Sequence, residues 1–192
     1  LEEIGAGAFH QCYNLITVGK MPEKVISIGD ECFSHCYNLE EVVLPGKLEK
    51  IGYWAFKGCQ HLLKIVIPNS VKILGSGCFK DCGLISVVVG DGVEEIPNSA
   101  FAGCVYLTTV KLGKSVSKIG SYAFNNCANL ESIIIPNSIE RLSAGIFYGC
   151  HNLSSITLPS SILSIGNYAF NNCSNIRSIY CQASTPPYYS MI

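Results

Sequence analysis

The chain has 192 residues, 48% of them hydrophobic, and a formal net charge of −1. This is enough apolar sequence for a core, and a near-neutral chain lacks the basic excess expected of a nucleic-acid-binding protein. No apolar run reaches the roughly 20 residues that a membrane-spanning helix needs, so membrane insertion of this stretch is not expected. Residues 1–96 hold 12 acids and 8 bases, whereas residues 97–192 hold 2 acids and 5 bases. We interpret this difference as drift between repeats.

A repeat of about 23 residues runs through the whole chain. Eight times a Phe is followed three residues later by a Cys, and successive Phe residues are 22 to 24 positions apart. Such a period is typical of a solenoid, in which one unit stacks on copies of itself. No linker interrupts it, so we expect residues 1–192 to form a single domain. The pairs are Phe9/Cys12, Phe33/Cys36, Phe56/Cys59, Phe79/Cys82, Phe101/Cys104, Phe124/Cys127, Phe147/Cys150 and Phe170/Cys173.

Each repeat opens with a predicted strand, for which residues 39–44 are the type example. Val42 and Leu44 point to one face of this strand, and Glu41 and Val43 point to the other. Pro45 ends the strand, because proline cannot continue a hydrogen-bonded ladder. The same frame recurs in every later repeat, which predicts a parallel sheet of about eight strands.

The second half of the repeat predicts a return to the start of the next strand. Ile51 is a second inward anchor, in a short strand on the opposite wall. The segment 55–59, Ala-Phe-x-x-Cys, predicts a helical or 3₁₀ turn with three side chains pointing inward. One extra residue at positions 19–21 predicts a bulge in the first repeat, and one missing residue between Cys82 and Leu84 predicts a tighter corner.

All eleven cysteines have a structural interpretation. Equivalent residues in adjacent coils lie about 4.8 Å apart with parallel side chains, whereas a disulfide needs converging Cβ atoms roughly 3.8 Å apart. We therefore expect the eight repeat cysteines to be buried, reduced thiols that act as small apolar core residues. Cys32 and Cys78 fall in a column otherwise occupied by alanine, and Cys181 falls on an inward strand position.

The pattern LxxIxLPxS…IxxIGxxAFxxCxxL resembles the BspA-type leucine-rich repeats over residues 1–181. The resemblance implies a right-handed α/β leucine-rich repeat solenoid of about eight repeats, with a curved parallel sheet, short helical or 3₁₀ turns and short second strands. Residues 179–187 are similar to the family's usual exit sequence, and we expect residues 182–192 to form a C-terminal exit and cap. In this segment Pro186 and Pro187 end the repeat, and we expect Tyr188, Tyr189, Met191 and Ile192 to fold over the last coil. Family members occur mainly as surface or secreted proteins of bacteria, and some bind host matrix proteins or other cells. Because Leu1 already lies inside a repeat, we interpret the chain as a piece of a longer protein.

No constellation in the sequence predicts catalysis, a metal site or a cofactor. The four histidines, His10, His35, His61 and His151, fall in corners between a repeat Phe and the next Leu, as solvated turn residues would. The aspartates are not spaced for a metal-binding loop. Eight equivalent thiols cannot all be nucleophiles, and none has a histidine at a repeated offset. The sequence therefore predicts a non-catalytic chain.

The outward strand positions are the predicted binding surface, since in a leucine-rich horseshoe they line the concave face. They form two columns that mix apolar and hydroxyl side chains with few charges. We predict a protein-binding module, and the family resemblance implies that it is of the adhesion type, with a host matrix or cell-surface protein as its partner. The alternative is a structural spacer without a ligand. Self-association through the open N-terminal edge is a further expectation. The predicted contact residues are Lys64, Val66, Val88, Thr109, Lys111, Ser132, Ile134 and Thr157.

Overall fold

The computed structural model describes residues 1–185 and 187–190, which form a parallel β-solenoid of about eight coils. A typical coil contributes a longer strand to one wall, a short strand to a second wall, and a broad turn that leads to the next coil. The strands, numbered in chain order over both walls, are β1 Glu3–Ile4, β2 Thr17–Lys20, β3 Ser27–Ile28, β4 Glu41–Val43, β5 Lys50–Ile51, β6 Lys64–Ile67, β7 Ile73–Leu74, β8 Ser86–Val89, β9 Glu95–Ile96, β10 Thr109–Lys111, β11 Lys118–Ile119, β12 Arg141–Leu142, β13 Ser155–Leu158, β14 Ser164–Gly166, β15 Ser178–Cys181 and β16 Tyr188–Ser190.

The wall of longer strands is divided rather than continuous. Its strands pair in parallel as three ladders, β2-β4, β6-β8-β10 and β13-β15. No ladder joins β4 to β6, and residues 132–135, which occupy the next strand position, are not hydrogen-bonded as a strand. The alternation of side chains is retained throughout, because Ile133 and Ile135 are buried while Ile134 is exposed. The predicted single sheet of eight strands is therefore seven strands in three pieces.

The second wall confirms the predicted short strands. They form the parallel ladders β1-β3-β5-β7, β9-β11 and β12-β14-β16. The exit segment belongs to this wall, since Tyr188 pairs with Ser164 and Tyr189 with Ile165. Of the residues predicted to close the last coil, Met191 and Ile192 lie outside the described part of the chain.

The broad turns are not helical, which corrects the expected helical or 3₁₀ conformation. Backbone N–H groups alternate between two kinds of partner: Lys57 N donates to Trp54 O within the turn at 3.0 Å, whereas Phe56 N donates to Cys78 O of the next coil at 2.8 Å. Two residues in each turn have positive φ, such as Trp54 at 52° and Gly58 at 76°. A helix needs consecutive αR residues and intrasegment bonds, so this alternation builds a chain of tight turns instead.

Phenylalanine rings form a continuous stack through the solenoid. Successive rings lie 5.0–5.8 Å apart between centroids and within 18° of parallel, from Phe9 to Phe170. The six inner rings are fully buried, but Phe9 is 37% exposed because no coil covers its outer face. Offset stacking of this kind adds about 0.5–1.5 kcal/mol per pair to the free energy gained by burial.

The repeat cysteines are hydrogen-bond donors as well as apolar core residues. The Cys127 thiol donates to Phe101 O of the preceding coil at 3.2 Å, and the same carbonyl accepts Cys104 N–H at 3.2 Å. Seven thiols make this contact, from Cys36 to Cys173, with sulfur–oxygen distances of 2.9–3.2 Å. Cysteine is small enough for this interior position and its S–H group is a weak hydrogen-bond donor, which alanine lacks. This explains why the position is occupied by cysteine and not by alanine.

The two end cysteines depart from the expected burial. Cys12 and Cys181 are exposed, whereas the other nine cysteines are buried, and all eleven are free thiols. Cys12 lies in the first coil, where no preceding Phe carbonyl is available, and Cys181 lies on β15, the last long strand. The prediction that all eight repeat thiols are buried is therefore wrong for Cys12. The predicted bulge is confirmed, since the β2–β4 register shifts between Thr17 and Lys20.

Candidate functional site: the outward face of the long strands

The outward side chains of the longer strands and of residues 132–135 form one surface, called here the strand face. The β6-β8-β10 ladder aligns Lys64 with Ser86 and Thr109, and it aligns Val66 with Val88 and Lys111. Five of the eight predicted contact residues therefore lie side by side on one ladder. Ser132 and Ile134 lie in the unpaired segment, and Thr157 lies on β13 beside Tyr180 of β15. Lys20 pairs with Val43, so in the bulged first repeat it occupies the outward column that contains Val43, Val66 and Val88.

All eight predicted contact residues are exposed. The strand face carries an interrupted row of apolar side chains, of which Ile134 is 87% exposed, Val66 63%, Val43 56% and Val88 37%. Their inward neighbours, such as Ile65 and Val87, are buried. The predicted orientation of the two strand faces is therefore correct, and an outward substitution here does not disturb the core.

A groove on this face lies at the break between β4 and β6. It has a volume of about 800 Å³ and lies between residues 40–44 of one coil and His61, residues 63–66 and Pro68 of the next. Val43 and Val66 supply outward apolar side chains, and Glu41 and Lys64 supply one charge of each sign. Volumes of this size are typical of binding pockets, and this one lies beside the exposed side chains of Val43 and Val66.

A third outward column contributes to the groove and was missing from the sequence prediction. It consists of the residue that follows the position of Leu39 in each repeat. Three members of this column are apolar, namely Ile16, Leu63 and Ile85, and they are 56%, 47% and 40% exposed. Backbone bonds hold it in register, for example Ile85 N to Leu63 O at 2.8 Å. The signal was present in the sequence, because this position lies within the predicted strand segment and three repeats carry an apolar residue there.

The thiols and histidines do not assemble into a reactive site. Burial raises the pKa of Cys32, Cys36 and Cys104 to about 12, so these thiols stay protonated at neutral pH and are poor nucleophiles. Burial, followed by the nearby Lys57 ammonium, lowers the pKa of His35. Among the described residues, no three His, Cys, Asp or Glu side chains are grouped as a metal ion would require. The same residues include no helix that could cross a membrane.

The geometry and the repeat match a known family. The family model described as BspA type leucine rich repeat region (6 copies) matches residues 1–108 and 94–187. The chain belongs to this family. The stacked Phe rings and the thiol–carbonyl hydrogen bonds thus form the interior of a BspA-type solenoid, and the strand face is the outward side of its longer strands. No curated protein matches the chain.

Solved structures of bacterial leucine-rich repeat proteins share this fold. The chain is 30% identical to the T. pallidum leucine-rich repeat protein TpLRR, with a TM-score of 0.60, over 68% of this chain and 72% of that one. A leucine-rich repeat protein from Bacteroides ovatus is 24% identical, with a TM-score of 0.58, and one from Eubacterium ventriosum is 21% identical, with a TM-score of 0.60. These two matches cover 94% and 97% of this chain but only 64% and 59% of the solved chains.

Proposed function

We propose that this chain is a non-catalytic binding module that contacts a protein partner through the strand face. The observation that carries the proposal is the row of Val43, Val66, Val88 and Ile134, which is exposed beside a groove of about 800 Å³. Exposed apolar side chains grouped on one face are typical of interaction surfaces. Hydroxyl groups at Thr109, Ser132 and Thr157 surround the row and supply hydrogen bonds at its rim.

The chemistry of the face indicates what kind of partner it suits. Lys64, Lys111 and Glu41 are the charged residues of the two predicted columns, and Lys20 joins them in the first coil. A partner held mainly by apolar contact should bind with weak dependence on salt, because few charges are screened. Membership of the BspA-type family supports the further proposal that the protein acts at the bacterial surface or after secretion, with host matrix or cell-surface proteins as its partners.

A structural spacer is the second candidate function. The observation in its favour is the regular interior, in which the same ring stacking and thiol hydrogen bonds recur from coil to coil. Stacking of coils in this way lengthens the molecule along one axis. A spacer requires no particular residues on the strand face, whereas a binding module requires the apolar row.

Binding to immobilised matrix proteins separates the two functions. The purified chain should be retained by a panel of fibronectin, fibrinogen, laminin and collagen, with one or more members holding it at both 0.15 and 0.5 M NaCl. If no member of the panel retains the chain at either salt concentration, the spacer function is favoured. Retention that disappears entirely at the higher salt concentration would contradict the apolar mode of contact.

A further inference from the structure

The surface of the broad turns is chemically divided along the solenoid. The turns in the first half carry Asp30, Glu31, Lys57, Lys80 and Asp81. The last four turns contain no Asp, Glu, Lys or Arg and are rich instead in Asn and Tyr. The turn surface is therefore free of charged side chains over the last four coils, and the charged residues of that half of the chain lie elsewhere in the repeat. These last four turns are residues 97–106, 120–129, 143–152 and 166–175.

Two tyrosines on this uncharged surface have restrained backbones and exposed rings. Tyr122 and Tyr168 occupy equivalent turn positions, each with a φ of 58°, and their side chains are 41% and 61% exposed. A Cβ added to Gly145 would lie 2.2 Å from Cε1 and 2.4 Å from Cδ1 of Tyr122, so this ring lies on the glycine backbone of the next coil. The two tyrosines are two coils apart, roughly 10 Å at about 4.8 Å per coil.

Each of these tyrosines is accompanied by an exposed amide. Asn126 and Asn172 follow them by four residues, with φ values of 55° and 62°, and both are exposed. Asn126 N donates to Tyr148 O at 2.7 Å, which fixes its backbone to the next coil. A primary amide offers two donors and one carbonyl acceptor. The surface thus presents two copies of the same aromatic and amide combination.

We propose that this Tyr- and Asn-rich turn surface binds a neutral oligosaccharide. A tyrosine ring offers a flat apolar face for the C–H face of a sugar ring, and amides can donate to and accept from adjacent sugar hydroxyls. No charged side chain has to be desolvated, and rings carried by a fixed backbone lose little conformational entropy on binding. The spacing of the two tyrosines suits a chain of several sugars rather than a single one. This surface is distinct from the strand face and does not depend on the protein-binding function.

Calorimetric titration with neutral hexasaccharides tests the proposal. The probes are cellohexaose, maltohexaose, laminarihexaose and chitohexaose, and we expect at least one to bind. The double variant Tyr122→Asn/Tyr168→Asn should weaken that binding by at least about tenfold, because it removes both rings while asparagine tolerates the positive φ. Trp54→Asn, at the equivalent position among the charged turns, is the matched control and should bind as the unmodified protein does.

Three outcomes would overturn the proposal: no hexasaccharide binds at millimolar concentration, the double variant binds normally, or Trp54→Asn weakens binding as much. Should the double variant fail to fold by circular dichroism, the single variants Tyr122→Asn and Tyr168→Asn replace it, and each should show a partial loss. A glutamate variant of the strand face should bind the sugar normally. Failure of the sugar site and failure of the protein-binding face are therefore distinguishable.

Discussion

The first coil and the central coils carry the same motif but differ in what it does. Phe124 and Cys127 are fully buried, with stacked rings on both sides and a thiol that donates to the preceding coil. Phe9 and Cys12 occupy the equivalent positions, yet Phe9 is 37% exposed and Cys12 is exposed. In a solenoid, burial is produced by the neighbouring coils. The motif alone therefore does not determine the energetic role of its residues.

Removal of a central ring should have the largest effect on stability. Phe124→Ala leaves a cavity between two rings and should lower the free energy of unfolding by about 3–5 kcal/mol. Phe9→Ala should cost clearly less, since its ring stacks on Phe33 alone. Denaturant unfolding of both variants measures the difference. Equal losses would contradict the dependence of burial on neighbouring coils.

Removal of a central thiol should have a smaller effect. Cys127→Ala deletes the bond to Phe101 O, and we expect a loss of about 1–2 kcal/mol from the hydrogen bond and the packing around sulfur. Cys12→Ala should change stability by no more than about 0.5 kcal/mol, because that side chain is exposed. Thermal melts of the two variants under reducing conditions provide the comparison. A Cys127→Ala protein as stable as the unmodified one would show that the thiol bonds add nothing.

The buried thiols also predict that stability falls at alkaline pH. Cys32, Cys36 and Cys104 have pKa values raised from 9.0 to about 12, chiefly by burial. Between these pH values the unfolded chain loses protons that the folded chain retains, so stability is full below pH 9 and falls as the pH rises towards 12. Unfolding of the protein and of Cys104→Ala across pH 8–11 tests this sign. A steeper fall in the variant than in the parent would contradict it.

Inward and outward positions were predictable because strand alternation and the 23-residue period are properties of the sequence itself. Val66 and Ile134 were placed outward, and Ile65 inward, from alternation alone. The turn conformation was not predictable in the same way. The Ala-Phe-x-x-Cys spacing is compatible with a helical turn, and it is equally compatible with a series of tight turns whose N–H groups bond alternately within the turn and to the next coil. The deciding bonds, such as Phe56 N to Cys78 O, join residues in different coils.

The groove and the end effects lay beyond sequence reasoning for a related reason. The break between β4 and β6 lies between two coils whose sequences both follow the strand pattern, so nothing in that pattern marks it. The exposure of Cys12, like that of Phe9, depends on which coils surround the residue and not on the motif in which it lies. The column of Ile16, Leu63 and Ile85 was accessible from the sequence, but it lies at the start of the predicted strand, outside the two columns that were considered.

The most direct test of the binding function is the affinity of two matched triple variants for a matrix protein that retains the unmodified chain. Val66→Glu/Val88→Glu/Ile134→Glu places three carboxylates on the strand face. The control, Ile26→Glu/Ile73→Glu/Leu163→Glu, places three on exposed positions at or beside the short strands, where these residues are 41%, 56% and 54% exposed. Both proteins should remain folded, because none of the six side chains is buried. We predict that the first variant loses binding and the control retains it; normal binding by the first variant, or equal loss in both, would contradict a partner site on the strand face.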